Sequence, residues 1–325
     1  MNPELLKFVS RAVVFVLGLL VIDRVVGAGL DVLFARTRTG EVSGAVNATL
    51  DHKDADVLLF GSSRAKQHFD PAVLREATGW TGYNAAANGQ GVPYAVGIQA
   101  LLEARGAKNK CHVLHVDIVD LISPKVSRTS LLLPFSREVP AILDLQESVD
   151  RWAWLKAWSW MWRYNSVAVS VLRNQITREV ATNDDGFEPR TAIQAGFADP
   201  REFLGPPDPD AKLHLDDRIE PFLDQFVARA RRMGAGVMLV TSPLNRPGAL
   251  VDGRLADPVR VQARDWLGAW AQKHGVSYVS YDEEREPELR DPALFVDQAH
   301  MKADGAAILS ARLAEDLPAA CGSSR

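Results

Sequence analysis

Five short runs, Val57–Phe60, Gly82–Ala86, His112–Val119, Val237–Val240 and Val276–Tyr281, are apolar or alternating, and segments of helical period separate them. That alternation constrains the chain more than any other feature, because strands interleaved with helices bury their apolar faces only as a parallel sheet covered on both sides. Crossovers between parallel strands are right-handed, which leaves few windings. The expected fold is α/β, a flavodoxin-like three-layer α/β/α sandwich with about five parallel strands. Pro71–Thr78 is predicted helical, since Asp70 and Pro71 together form a helix-start signal. Tyr94–Arg105, Ile219–Met233, Val259–His274 and Ala303–Leu317 are predicted to supply the other helices.

One connection is too long to lack structure of its own: residues 121–213, between the third and fourth runs. It reads as a helical insertion, with one or two helices over Ile142–Ile176 and a proline and aspartate loop at Pro206–Asp210. Trp152, Trp154, Trp158, Trp160 and Trp162 crowd within it, and a continuous helix would put Trp154, Trp158 and Trp162 on one face. Core packing, a membrane interface and a sugar-stacking surface all suit such a cluster.

The N-terminus carries the localisation signal. After Lys7 and Arg11 the chain is apolar from Ala12 to Ile22, is interrupted by Asp23-Arg24, and is apolar again from Val25 to Leu30. Each charge at the bilayer centre costs about 2.5–3.5 kcal/mol, so a spanning helix must keep that pair near an interface. A cleaved signal peptide and an interfacial helix are alternatives. The small residues Gly27-Ala28-Gly29 lie beyond the charged pair and make a poor cleavage site. The reading is an uncleaved signal anchor over residues 1–31, a linker or stalk over 32–52, a main domain over 53–318 and a tail over 319–325. Arg24, Arg36 and Arg38 follow the span as Lys7 and Arg11 precede it, so charge does not set orientation.

A net charge of −4 excludes binding to nucleic acid through general basicity. Cys111 and Cys321 are the two cysteines. Each reads as a small buried hydrophobe or an unpaired residue, and a bridge between them is open. The sequence has no zinc-like spacing, and no phosphate-cradling loop follows the first strand, which counts against a nucleotide-binding flavodoxin-like domain. No metal or organic cofactor is implied.

Chemistry concentrates in three stretches. The run Val57–Phe60 breaks at Gly61 into Ser62-Ser63-Arg64, a strand delivering hydroxyls onto a tight turn at the carboxyl edge of the sheet. Such serines also serve as helix N-caps. Serine holds its proton at neutral pH and needs a base, itself oriented by a third group. Asp297 and His300, in a loop before the last helix, have the spacing for a carboxylate to turn back onto one imidazole nitrogen. Tyr83–Gly91 is rich in small residues, a loop whose backbone can approach a ligand and point amides at an oxyanion.

Those residues resemble the SGNH hydrolases, the GDSL esterase and lipase superfamily, over roughly residues 53–120 and 234–318. The family's Gly-Asp-Ser block is matched by Gly61-Ser62-Ser63, its second-block glycine by Gly89, and its Asp-x-x-His block by Asp297 and His300. The resemblance implies Ser63 as nucleophile, His300 as base, Asp297 as its orienting partner, and the amides of Ser63 and Gly89 as the oxyanion hole. The family's third-block asparagine is missing. Asp117 and Asp120 occupy its neighbourhood, and a carboxylate repels an oxyanion, so the hole has two donors or draws on Asn84 or Asn88.

The anchor, the Gly-Ser-Ser-Arg variant and the insertion together resemble the membrane-anchored bacterial members of DltD and alginate-acetylation type. That implies a single-pass protein of the bacterial inner membrane with its domain outside the cytoplasm. It would be a serine esterase or O-acyltransferase acting on acyl, foremost acetyl, esters of envelope or exopolysaccharide sugars. The competing expectation is a catalytically degenerate domain, a scaffold or polysaccharide-binding partner of a membrane-bound acyltransferase.

Overall fold

The computed structural model describes residues 2–177, 184–191, 207–245 and 250–322. Strands β1 (Val57–Phe60), β2 (Gly82–Asn84), β3 (Cys111–His115), β4 (Gly236–Thr241) and β7 (Ser277–Ser280) form one parallel sheet in the order β2-β1-β3-β4-β7. A two-stranded hairpin, β5 (Leu250–Val251) and β6 (Arg254–Leu255), lies apart from it. Strand order reverses between β1 and β3, so the crevice outside their carboxyl ends is where an open sheet binds ligands.

Alternate side chains of each strand face opposite layers. Leu58, Phe60 and Leu239 enter the core shared with α5 (Val92–Ala104) and α10 (Ile219–Arg232), where Phe60 meets Phe226 edge to face. Val57, Leu59, Val113 and Val240 enter the core shared with α3 (Ser63–His68), α4 (Pro71–Thr78) and α12 (Ala303–Cys321). Helix α11 (Pro258–His274) covers the first face beside β7 through Ala263, Leu267 and Trp270. The sheet is thus buried on both sides.

Several predicted boundaries move. The second strand ends at Asn84, not Ala86, and β3 stops at His115, well short of Val119. Asp117 instead opens α6 (Ile118–Ile122), its own amide donating to the Asp120 carboxylate at 2.9 Å. Residues 32–52, expected as a linker, are packed structure. Helix α1 runs over Pro3–Arg36, and α2 (Ala45–Asp51) buries Val46 and Leu50 in the core. Asn47 donates to the carbonyls of Phe34 and Thr37 at 2.7 and 3.1 Å, satisfying the end of α1. The residue 319–325 tail is helical as far as Cys321. A disulfide joins Cys321 to Cys111, with Cα atoms 5.5 Å apart, and so ties α12 to the start of β3.

The connection from β3 to β4 holds α7 (Pro140–Glu147), α8 (Ala153–Trp158) and α9 (Ala168–Thr177), more and shorter helices than expected over Ile142–Ile176. Pro206 lies outside the described residues. Because α8 ends at Trp158 and a separate 3-10 turn covers Trp162–Tyr164, Trp162 does not share a helix with Trp154 and Trp158. Ile142, Tyr164, Val167 and Val171 join Leu30 and Phe34 of α1 in the first core. Phe34 packs edge to face on Phe135 and Tyr164. The C-terminal part of α1 is therefore clamped to the body, whereas residues 3–19 are exposed throughout. Helix α1 is long and apolar enough to cross a membrane.

Candidate active site

Strand β1 ends in a turn that only glycine tolerates. Gly61 has φ +146°, and a Cβ there would lie 2.7 Å from the Ala65 Cβ and 3.0 Å from that of His115. Ser62 then caps α3, its Oγ accepting from the Arg64 amide at 3.3 Å. Ser63 is the first residue of α3 and keeps its hydroxyl for another partner. Ser62 thus takes the helix-capping role that the sequence allowed either serine.

That partner comes from the far end of the chain. The segment from Phe295 to Met301 folds back on itself through a bridge between those two residues, and the Val296 amide donates to the His300 carbonyl at 2.9 Å. Within it, Asp297 Oδ1 accepts from the amides of Ala299 and His300 at 2.7 and 2.8 Å, and Oδ2 accepts from His300 Nδ1 at 2.8 Å. The other ring nitrogen, Nε2, lies 2.8 Å from Ser63 Oγ. With Nδ1–H given to a carboxylate, Nε2 is the acceptor and the serine hydroxyl donates. Burial pushes the Asp297 carboxyl up, but the hydrogen bonds from His300 and the Ala299 amide outweigh it and hold its pKa below the ordinary value. All three side chains are half-buried, open enough for a ligand.

Beneath them lies a buried polar layer. The Met301 amide donates to His68 Nε2 at 3.0 Å, so the His68 proton is on Nδ1 and points at Ser242 Oγ, 2.9 Å away. That hydroxyl donates in turn to His115 Nε2 at 2.9 Å. Burial, then the Arg64 charge, press both imidazoles toward neutrality, His68 well below its usual pKa and His115 to about 3. Because Met301 follows His300, this layer fixes the backbone from which the imidazole hangs.

Arg64 is buried behind the serine turn and donates to Asp117 at 3.1 Å and to the carbonyls of Ser242 and Pro243 at 2.6 and 2.8 Å. Burial raises the Asp117 carboxyl, but Arg64 brings it down to about 2. Burial, then repulsion from Asp117, raises Asp120 to about 7. The carboxylate near the missing asparagine is therefore a counter-ion, its charge answered by Arg64.

The glycine-rich loop reaches the same rim. The Ala85 amide donates to Leu59 O at 2.8 Å and that of Ala87 to Gly61 O at 3.2 Å, so the chain beyond β2 runs beside the serine turn. Gly89 sits in the next turn with φ +68°, its carbonyl held by Arg128 at 2.9 Å. Asn84 does not fit as an oxyanion donor. It is buried, and its amide donates to the carbonyls of Ala65 and Phe69 at 3.0 and 2.8 Å, tying α3 to β2. Asn88 is half-buried, donating to Glu188 at 3.2 Å and accepting from Gln67 at 3.4 Å. Its amide has a second hydrogen to offer.

Sequence reasoning did not single out Arg64, His68, His115 or Ser242 for this layer. The signal was faint: a histidine, His115, within the third apolar run, a serine, Ser242, two residues past the fourth, and a histidine within one turn and a half of Ser63. Among the described residues no group of three or more His, Cys, Asp and Glu side chains is placed to hold a metal ion. No protein-family model and no curated protein matches the chain.

Proposed function

We propose that the chain is a membrane-tethered serine hydrolase of the SGNH type. It works outside the cytoplasm as an esterase or O-acyltransferase on acyl, foremost acetyl, esters of cell-envelope or exopolysaccharide sugars. The observation that carries this reading is the unbroken sequence of 2.8 Å contacts from Ser63 Oγ through His300 to Asp297. The strand order supports a flavodoxin-like sandwich, with Ser63 at the β1 end of the crevice where that fold binds ligands.

Ser63 Oγ attacks the ester carbonyl carbon as its proton passes to His300 Nε2, and Asp297 stabilises the imidazolium. The oxyanion is held by the amides of Ser63 and Gly89, with Asn88 as the side-chain donor that the sequence otherwise lacks. Collapse breaks the bond to the leaving alcohol, which takes the proton from His300 and leaves an acyl-serine. Water or a sugar hydroxyl then attacks the acyl carbon while giving its proton to His300, and the bond to Ser63 Oγ breaks as Oγ takes that proton back. Helix α1 tethers the domain. The Cys111–Cys321 disulfide supports an oxidising compartment such as a periplasm.

The test is cleavage of an activated acetyl ester and labelling of Ser63 by a fluorophosphonate. Ser63→Ala should lower turnover on the order of 10⁴-fold or more and abolish labelling, with the melting temperature unchanged. Equal rates in variant and parent would refute the reading.

One observation favours a second reading. With Asn84 occupied and a carboxylate near the missing asparagine, the domain would serve as a scaffold or polysaccharide-binding partner of a membrane-bound acyltransferase. A parent protein that binds envelope polysaccharide but does not react with the fluorophosphonate would decide for it.

A further inference from the structure

Helix α1 leaves the body at its charged pair, and there the insertion packs against one side of it, while Val21, Ile22, Val25 and Val26 stay exposed. Asp23 accepts hydrogen bonds from the Ser159 hydroxyl and from the amides of Trp160 and Met161, the latter two at 3.0 Å. The Arg24 guanidinium lies over the rings of Trp158 and Trp160, 4.6 and 5.5 Å from their centroids, and donates to the Trp158 carbonyl. One turn on, Gly27 is in direct contact with Trp160, and a Cβ there would come within 2.3 Å of it. The junction leaves no flexible stalk.

The surface around this contact is rich in exposed aromatic side chains. Trp152, Trp154, Trp158, Met161 and Trp162 are 40–52% exposed. Arg137 and Arg163 approach Trp160, Arg151 approaches Trp152 and Lys156 approaches Trp162. Large aromatics half in contact with water and ringed by cations have the composition of a membrane–water interface, where indole rings sit among headgroups and cations meet phosphate.

Length decides the occupant. The part of α1 that projects from the body, Leu5–Ile22, with Lys7 and Arg11 toward its free end, is about 27 Å long at roughly 1.5 Å per residue, against a hydrocarbon core of about 30 Å. Once that segment spans, no helix is left over to hold the body away from the lipid. Asp23, Arg24 and the tryptophans bonded around them must lie at headgroup level.

We infer that the Trp152–Trp162 collar is a bilayer-docking surface, seated in the interfacial region of the same membrane that α1 crosses. It holds the Ser63 domain at a set height and tilt rather than on a loose tether. The inference rests on α1 spanning the bilayer and is independent of whether Ser63 is a nucleophile.

The full chain is reconstituted in nanodiscs of phosphatidylcholine and phosphatidylglycerol, with the phosphatidylcholine brominated on its acyl chains near the glycerol end. Tryptophan emission is compared with that in unbrominated discs. Five of the eight tryptophans lie in this collar, four of them well exposed and Trp160 half-buried, so brominated lipid should quench roughly half of the emission. Replacing Trp152, Trp154, Trp158 and Trp162 by Phe should remove most of that sensitivity, leaving only the share of Trp160, with the circular dichroism and melting temperature as in the parent. Incorporation that resists alkaline washing but shows no quenching would overturn docking and leave the span intact, as would quenching that is undiminished in the Phe variant. Failure to incorporate would overturn the span and the docking together. Emission that responds to envelope polysaccharide but not to brominated lipid would reassign the collar to sugar stacking.

Discussion

Replacing Asp297 by Asn tests the proposed chemistry with little change of shape. Asp297 Oδ1 receives two backbone amides and Oδ2 receives His300 Nδ1. An asparagine oxygen can keep both backbone bonds, so the loop should hold its form. The amide nitrogen then faces His300 Nδ1 and can only donate, which forces the imidazole proton onto Nε2. That proton points at Ser63 Oγ, 2.8 Å away, and the ring can no longer accept from the hydroxyl. A triad held in this wrong tautomer loses about 10⁴-fold in kcat, about 5.4 kcal/mol at 1.36 kcal/mol per decade. Hydrolysis of an activated acetyl ester by the full chain in detergent micelles measures it, alongside the rate of fluorophosphonate labelling. Asp297→Ala should lose similar activity and also stability, since the two backbone amides lose their acceptor, at about 1 kcal/mol for a lost cap. The argument fails if Asp297→Asn stays within tenfold of the parent, because the carboxylate would then not set the His300 tautomer.

Two further perturbations address the scaffold. Asp120 holds its proton to a higher pH when folded, to about 7, than when unfolded, so the stability it contributes is fully present below its unfolded pKa and is lost as pH rises toward 7. The stability difference between parent and Asp120→Asn should therefore shift against the parent by up to about 1.4 kcal/mol per pH unit in that window. Thermal unfolding of both proteins at pH 5 and at pH 7 checks the sign. Cys321→Ser removes the cross-link from α12 to β3 and should destabilise the fold by about 2–4 kcal/mol, read as a lower melting temperature that reducing agent does not lower further.

Legibility followed the range of the forces involved. Helix α4 spans Pro71–Thr78 as expected, with Asp70 as its N-cap and Pro71 in its first turn, because caps act over a few neighbouring residues. Strand β3 was overdrawn, since Ile118 and Val119 look like strand by composition and only the bond between Asp117 and Asp120 turns them into α6. The site divided in the same way. Ser63, Gly89, Asp297 and His300 stand in short local patterns, whereas Arg64, His68, His115 and Ser242 become a layer only when β1, β3 and β4 lie side by side.

By itself the sequence determined the parallel sheet, through the spacing of its apolar runs, and the apolar helix, through its composition. Both follow from which side chains avoid water, and that is written residue by residue. Only the tertiary structure decided that residues 32–52 are packed rather than a stalk, that the two cysteines meet, and that the insertion closes around Asp23 and Arg24. Each is a contact between segments far apart in the chain, whose geometry exists only once the layers between them have assembled.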